Sequence, residues 1–217
     1  MHIFDILAET PLPDDWDKNV YGPGGSFKKK IEYAKQKAQR IGGGSSRVAF
    51  IIPFQGRNTV LKIAKNNKGM MQNEKEVSSF HDAEMLGAEG SVTVPMIDYD
   101  ETQTRPSWIH VEYAPKLKSE KHFERLTGFS LHDLVYYAAN ISSNPSLPGA
   151  RHKKFSKEFS ERVWQEGTFA YEFVSFVGNT DIHLPDLLTY TNWGLFKNHP
   201  VIIDLGLDEE IYQKFYS

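Results

Sequence analysis

The chain has 217 residues, 40 % hydrophobic and 13 % aromatic, with a formal net charge of −3, eight histidines and no cysteine. That is enough apolar material for one sizeable core or two small lobes, and the acidic balance offers no field for a nucleic acid backbone. Disulfides and thiolate metal sites are excluded and the histidines show no HExxH-like pairing, so a reducing, cytoplasmic setting is expected.

The N-terminal MHIFDILAETPLPDDW carries acids where a secretory leader would carry a basic region, and no apolar run approaches transmembrane length. Neither export nor a membrane span is expected. Residues 11–26, rich in Pro, Gly and Asp, read as an irregular lead-in. A helix is predicted from Phe27 to about Arg40, with Lys28, Lys29 and Lys30 as its solvated start. RVAFIIPF and TVLKIAKN, separated by QGRN, predict a hairpin over 47–66. MMQNEKEVSSFHDAEML predicts a helix ending before Gly87, while VTVPMIDYD and SWIHVEYAP predict two further strands, the second stopped by Pro115. Beyond it, HFERLTGFSLHDLVYYAAN and KKFSKEFSERVWQEGTFAYEFVSFV carry apolar residues at three- and four-residue spacing, separated by the loop ISSNPSLPGARH. A strand pair around 192–204 closes the chain. This order describes an α+β chain with a seam near residue 115, where a cleft is the default ligand site.

Three stretches carry chemistry. In IGGGSSRVAF, glycines let the backbone approach a ligand, and their amides with the serine hydroxyls can hold phosphate oxygens, although an isolated run of this kind also reads as a flexible turn. Lys62 sits inside the apolar run TVLKIAK on the face of Val60, opposite Leu61 and Ile63; lysine is rarely buried unless paired. The helix that follows offers Glu74 and Glu76, either of which can fix such an ammonium over nucleotide phosphates. Near the end of the chain, VIIDLG places an aspartate and a glycine after a short apolar strand.

In order, the Gly-rich loop, strand lysine, helix glutamate, strand ending in VEYAP, helices, asparagine and Asp-x-Gly of NWGLFKNHPVIIDLG resemble the protein kinase signature set over roughly residues 41–208. The resemblance implies a protein kinase-like two-lobe fold. A lead-in and helix would span 1–40, an antiparallel-sheet N-lobe with one helix 41–115, and a reduced, mainly helical C-lobe 116–217. It implies that Gly42, Gly44, Ser45 and Ser46 cover the phosphates of ATP and that Lys62 contacts them while paired with Glu76, chosen over Glu74 on the pattern EVSSF. Backbone groups of Glu112 to Ala114 would hold the adenine edge, and Asn192 and Asp204 would hold magnesium, with Gly206 permitting the turn that follows.

The implied activity is ATP- and magnesium-dependent phosphotransfer to a hydroxyl of a protein or small molecule. The alternative is an inactive pseudokinase that binds a partner. The chain departs from the pattern at three places. Arg47 stands where a third glycine is usual. Leu187 stands where the catalytic aspartate is expected, so Asp186 takes that role only if DLLTYTN holds one extra residue, with Asp181 and His183 as lesser substitutes. Thirteen residues after Asp204 leave no room for an activation segment. Compact chains of this kind are similar to ones carried by bacteriophages and mobile elements, which implies a host protein as target, with no nucleic acid or membrane partner.

Overall fold

The structure, a computed structural model, describes residues 12–22, 24–142, 144 and 146–216. Most of the stretch read for a leader, and single positions of the lead-in and of the ISSNPSLPGARH loop, lie outside them. The described chain is α+β and falls into two compact units, Met1–Met70 with Met96–Glu112, and Met71–Pro95 with Tyr113–Ser217.

The first unit is built on an antiparallel sheet of β1 (Gln39–Gly43), β2 (Arg47–Phe54), β3 (Arg57–Ala64), β4 (Met96–Tyr99) and β5 (Trp108–Glu112), ordered β1-β2-β3-β5-β4. The β2–β3 hairpin is closed by Gln55 and Gly56, both at positive φ, as a two-residue turn matched to strand twist requires. Alternation sends Val48, Phe50 and Ile52 to the same face as Leu61, Ile63 and Trp108. Helices α1 (Lys18–Tyr21) and α2 (Phe27–Lys37) cover that face with Leu12, Trp16, Val20, Tyr21 and Ala34. Each large side chain so buried contributes about 1.5–3 kcal/mol. Outside α1 the described lead-in is irregular, as read, and it nonetheless supplies core side chains.

Helix α2 starts at Phe27 as predicted, with Lys28 and Lys29 exposed, and the correction concerns Lys30 alone. Ser26 caps the helix by accepting from Lys29 N, but Lys30 is fully buried. Its Nζ donates to Ser107 Oγ at 2.6 Å and lies 3.7 Å from Asp100 Oδ2, itself hydrogen-bonded by Ser107 Oγ, Ser107 N at 3.1 Å and Gln103 Nε2 at 3.0 Å. Burial alone would raise the Asp100 carboxyl; the hydrogen bonds of Ser107 and Thr102 and the Lys30 charge outweigh it and hold it below the usual range.

Helix α3 (Asn67–Met85) leads into the second unit, which holds α4 (Glu120–Thr127), α5 (Leu131–Ser142), α6 (Lys157–Val163), α7 (Phe169–Asn179), α8 (Leu184–Leu187) and α9 (Glu209–Phe215). The two long helical stretches expected after Pro115 are each broken once, at Gly128 and Gly167, both at positive φ. Buried Ala170, Phe173, Val174 and Val177 recur at helical spacing on α7, which packs on α5. Phe123, Phe169 and Phe173 gather around fully buried Trp193, with ring centroids 5.0, 6.1 and 5.6 Å from it. Trp193 opens the hairpin of β6 (Trp193–Phe196) and β7 (His199–Ile202). Among the described residues no helix is long and apolar enough to cross a membrane.

Candidate functional site

The β6–β7 hairpin joins Asn192 to the Asp204 end of the chain. Trp193 pairs with Ile202, Ile203 N donates to Asn192 O at 3.0 Å, and Lys197 and Asn198 turn the chain at positive φ. Asp204 is thus the residue after the one bonded to Asn192. At Gly194 a Cβ would lie 2.7 Å from both Ala114 Cβ and Ile203 Cγ2. Residues 114–117 run against β6 there, with Leu117 N donating to Trp193 O at 2.9 Å and Leu195 N to Pro115 O at 2.8 Å. Glycine is needed for that approach, and its position within an apolar strand was the available signal.

Asp186 joins this group through the turn before the hairpin. Asn192 Nδ2 donates to Asp186 O at 2.9 Å, and Trp193 Nε1 to Leu187 O at 2.8 Å. Leu188 N bonds Pro185 O, Thr189 N bonds Asp186 O and Asn192 N bonds Thr189 O, so tight turns carry the chain from Asp186 to Asn192. Leu187, at the position expected for an aspartate, is in the core at 2 % exposure, whereas Asp186 is half-buried. Burial pushes the Asp186 carboxyl above its ordinary value; His183 opposes the shift and the Asp204 charge adds to it.

Of the lesser substitutes, Asp181 is exposed and His183 is buried. The His183 ring stacks on Tyr212 of α9 at 4.3 Å, with Nδ1 3.5 Å from Glu209 Oε2. Among the described residues no group of three or more His, Asp or Glu side chains can hold a metal ion by itself. Asn192 and Asp204 supply one amide oxygen and one carboxylate, a set that suits a hard cation completing its shell with phosphate and water.

In the first unit, Gly42 pairs opposite Ala49, Gly43 ends the pairing of β1 opposite Val48, and Gly44, Ser45 and Ser46 form the turn to β2. Their carbonyls face the residues after β3: Lys65 Nζ donates to Gly44 O, Asn66 Nδ2 to Ser45 O at 3.3 Å and Lys65 N to Ser46 O at 2.7 Å. Gly44 and Ser45 are exposed and Ser46 is buried. A Cβ at Gly42 would come no nearer than 4.0 Å to Ala49 Cβ, and one at Gly44 would meet nothing within 4 Å, so the fold does not require glycine at either. It does at Gly69, where a Cβ would lie 2.2 Å from Ser46 O; the first turn of α3 can approach the loop only there.

Lys62 lies in a row with Ala49 and Ile109, on the sheet face opposite the α1–α2 core, and is only 9 % exposed. Glu112 closes β5 with its carboxylate on Arg57, at 2.6 Å from Nη2 and 3.1 Å from Nε. Its side chain is used there, and its backbone lies opposite Thr59 in the β3–β5 ladder. In the second unit, Glu76 is fully buried on α3 and Glu74 half-buried, while Ala114 lies beside β6.

Set against known proteins, the sequence matches no family model, and no curated protein matches it.

Proposed function

We propose that the chain is an ATP- and magnesium-dependent phosphotransferase of protein kinase-like fold, acting on a hydroxyl of a protein or small molecule. The observation that carries this reading is the gathering of Asp186, Asn192 and Asp204 at the base of one hairpin, where Asn192 Nδ2 donates to Asp186 O and Ile203 N, one residue before Asp204, donates to Asn192 O. A divalent cation there offsets both carboxylates. When bound, magnesium neutralises the charge that develops on the phosphate oxygens. Asn192 Nδ2 is spent on Asp186 O, which leaves its amide oxygen as the ligand beside the Asp204 carboxylate.

In the transfer, the acceptor oxygen bonds to the γ-phosphorus as the bond from that phosphorus to the β–γ bridging oxygen breaks, and ADP leaves. The Asp186 carboxylate orients the acceptor hydroxyl and takes its proton. Exposed Gly44 and Ser45, with Gly42, are the backbone positions offered to phosphates, and Lys62 is the cation that would meet them.

The test is incubation with γ-labelled ATP and magnesium, alone and with cell lysate. Wild type should label itself or one acceptor, and Asp186→Asn should do so about 10²–10⁴-fold more slowly with little change in ATP affinity. Leu187 in the core favours the second reading, a nucleotide-binding pseudokinase that acts by docking on a partner. Magnesium-dependent ATP binding by wild type with no labelled product would select it.

A further inference from the structure

His183 is sealed in without a hydrogen bond for its Nδ1; its side chain is 5 % exposed, and Glu209 Oε2, 3.5 Å away, is likewise unsatisfied. A buried imidazole whose nearest partner is the carboxylate of the partly exposed Glu209, with no hydrogen bond made, persists only where the surroundings hold it in place. What holds it is α9. Tyr212 lies flat against the imidazole at an interplanar angle of 16°, Asp208 caps the helix on Ile211 N at 2.8 Å, and Ile211 is buried. The chain just before α9 is fastened to the same residue, since His183 N donates to Leu207 O at 3.0 Å. His183 O in turn accepts from Asp186 N at 3.2 Å. At its other end α9 reaches α3: Gln72 Nε2 donates to the Tyr216 hydroxyl at 3.3 Å, and Lys214 Nζ lies 3.8 Å from Met71 Sδ. Tyr212 and Tyr216 stack on one another, so the two contacts are made by one rigid face.

We infer that α9 is a clamp and His183 its positioning residue: together they fix the turn that carries Asp186 and, at the far end, the stretch of α3 that precedes Glu76. Calling the clamped region a reaction site rests on the phosphotransferase reading; the clamp itself does not. A short C-terminal helix thereby ties two separate segments into one register, and loosening it frees both without dissolving the helical core.

Amide hydrogen exchange on the full chain, read in peptides covering 71–77 and 182–192 with α5 and α7 as controls, tests this. In Tyr212→Ala, exchange in both stretches should quicken about tenfold while the controls stay within about twofold, and Tyr212→Phe, which keeps the stack, should match wild type. Unchanged exchange in either stretch, or equal acceleration in α5 and α7, overturns the clamp. Tyr216→Phe removes the hydroxyl that Gln72 contacts and keeps the ring stack, and should loosen 71–77 without 182–192, which keeps the inference testable if Tyr212→Ala does not fold. ATP titration of the same proteins reads separately: a wild type that binds no ATP defeats the phosphotransferase reading and leaves the exchange result standing.

Discussion

The Asp186 carboxyl is held where water would not leave it, partly buried and within reach of the Asp204 charge. Its folded value is raised, so between the unfolded value, about 3.9, and the folded one the native chain keeps a proton that the unfolded chain has lost. Raising the pH through that window lowers stability. Asp186→Asn removes the penalty, so the variant should melt a few degrees higher than wild type at about pH 7 and no higher at about pH 3, where both states are protonated. A lower melting temperature at neutral pH would show that the carboxylate supports the fold. Such a gain beside a loss of transfer is the pattern of a strained functional residue. Lys30 is the opposite case. Lys30→Met strands Asp100 as a buried, uncompensated charge, and urea unfolding should show a loss of about 3–5 kcal/mol; a loss under about 1 kcal/mol would mean that Ser107 and Thr102 satisfy Asp100 unaided.

At the scale of elements, the glycines of the β1–β2 turn and of α3 make a matched test. Gly69→Ala drives a methyl into the Ser46 carbonyl and should cost about 1–3 kcal/mol, whereas Gly42→Ala meets only Ala49 Cβ, at an unstrained 4.0 Å, and should leave the melting temperature unchanged. If the turn serves phosphates, Gly42→Ala should nevertheless weaken ATP binding, because the added methyl lies where the ligand would approach. The β2–β3 hairpin, α3 and the closing strand pair were legible because period and turn residues agree there. The end of α2 was not: the pattern runs on to Arg40, but pairing with β2 outweighs helix propensity, and Gln39 and Arg40 join β1. Nor was the role of the lead-in, whose Pro, Gly and Asp concealed Leu12, Trp16 and Val20, apolar residues four apart that anchor the core. In the candidate site, Asn192 and Asp204 could be read from the residues between them. The depth of Lys30 and the pairing of His183 with α9 could not, since both depend on segments remote in the chain.

For the molecule as a whole, Asp186 with Asn192, and Asp204 behind the β6–β7 hairpin, make sense together if nucleotide and cation bind together. A neutral amide at 204 would keep the shape and lose the charge that offsets a cation beside phosphates. The most direct measurement is calorimetric titration of ATP into wild type and Asp204→Asn, each with and without magnesium. Wild type should bind ATP more tightly when magnesium is present, and Asp204→Asn should lose that difference while any metal-free binding survives. Failure of wild type to bind ATP, or a magnesium dependence in Asp204→Asn equal to that of wild type, would contradict the assignment.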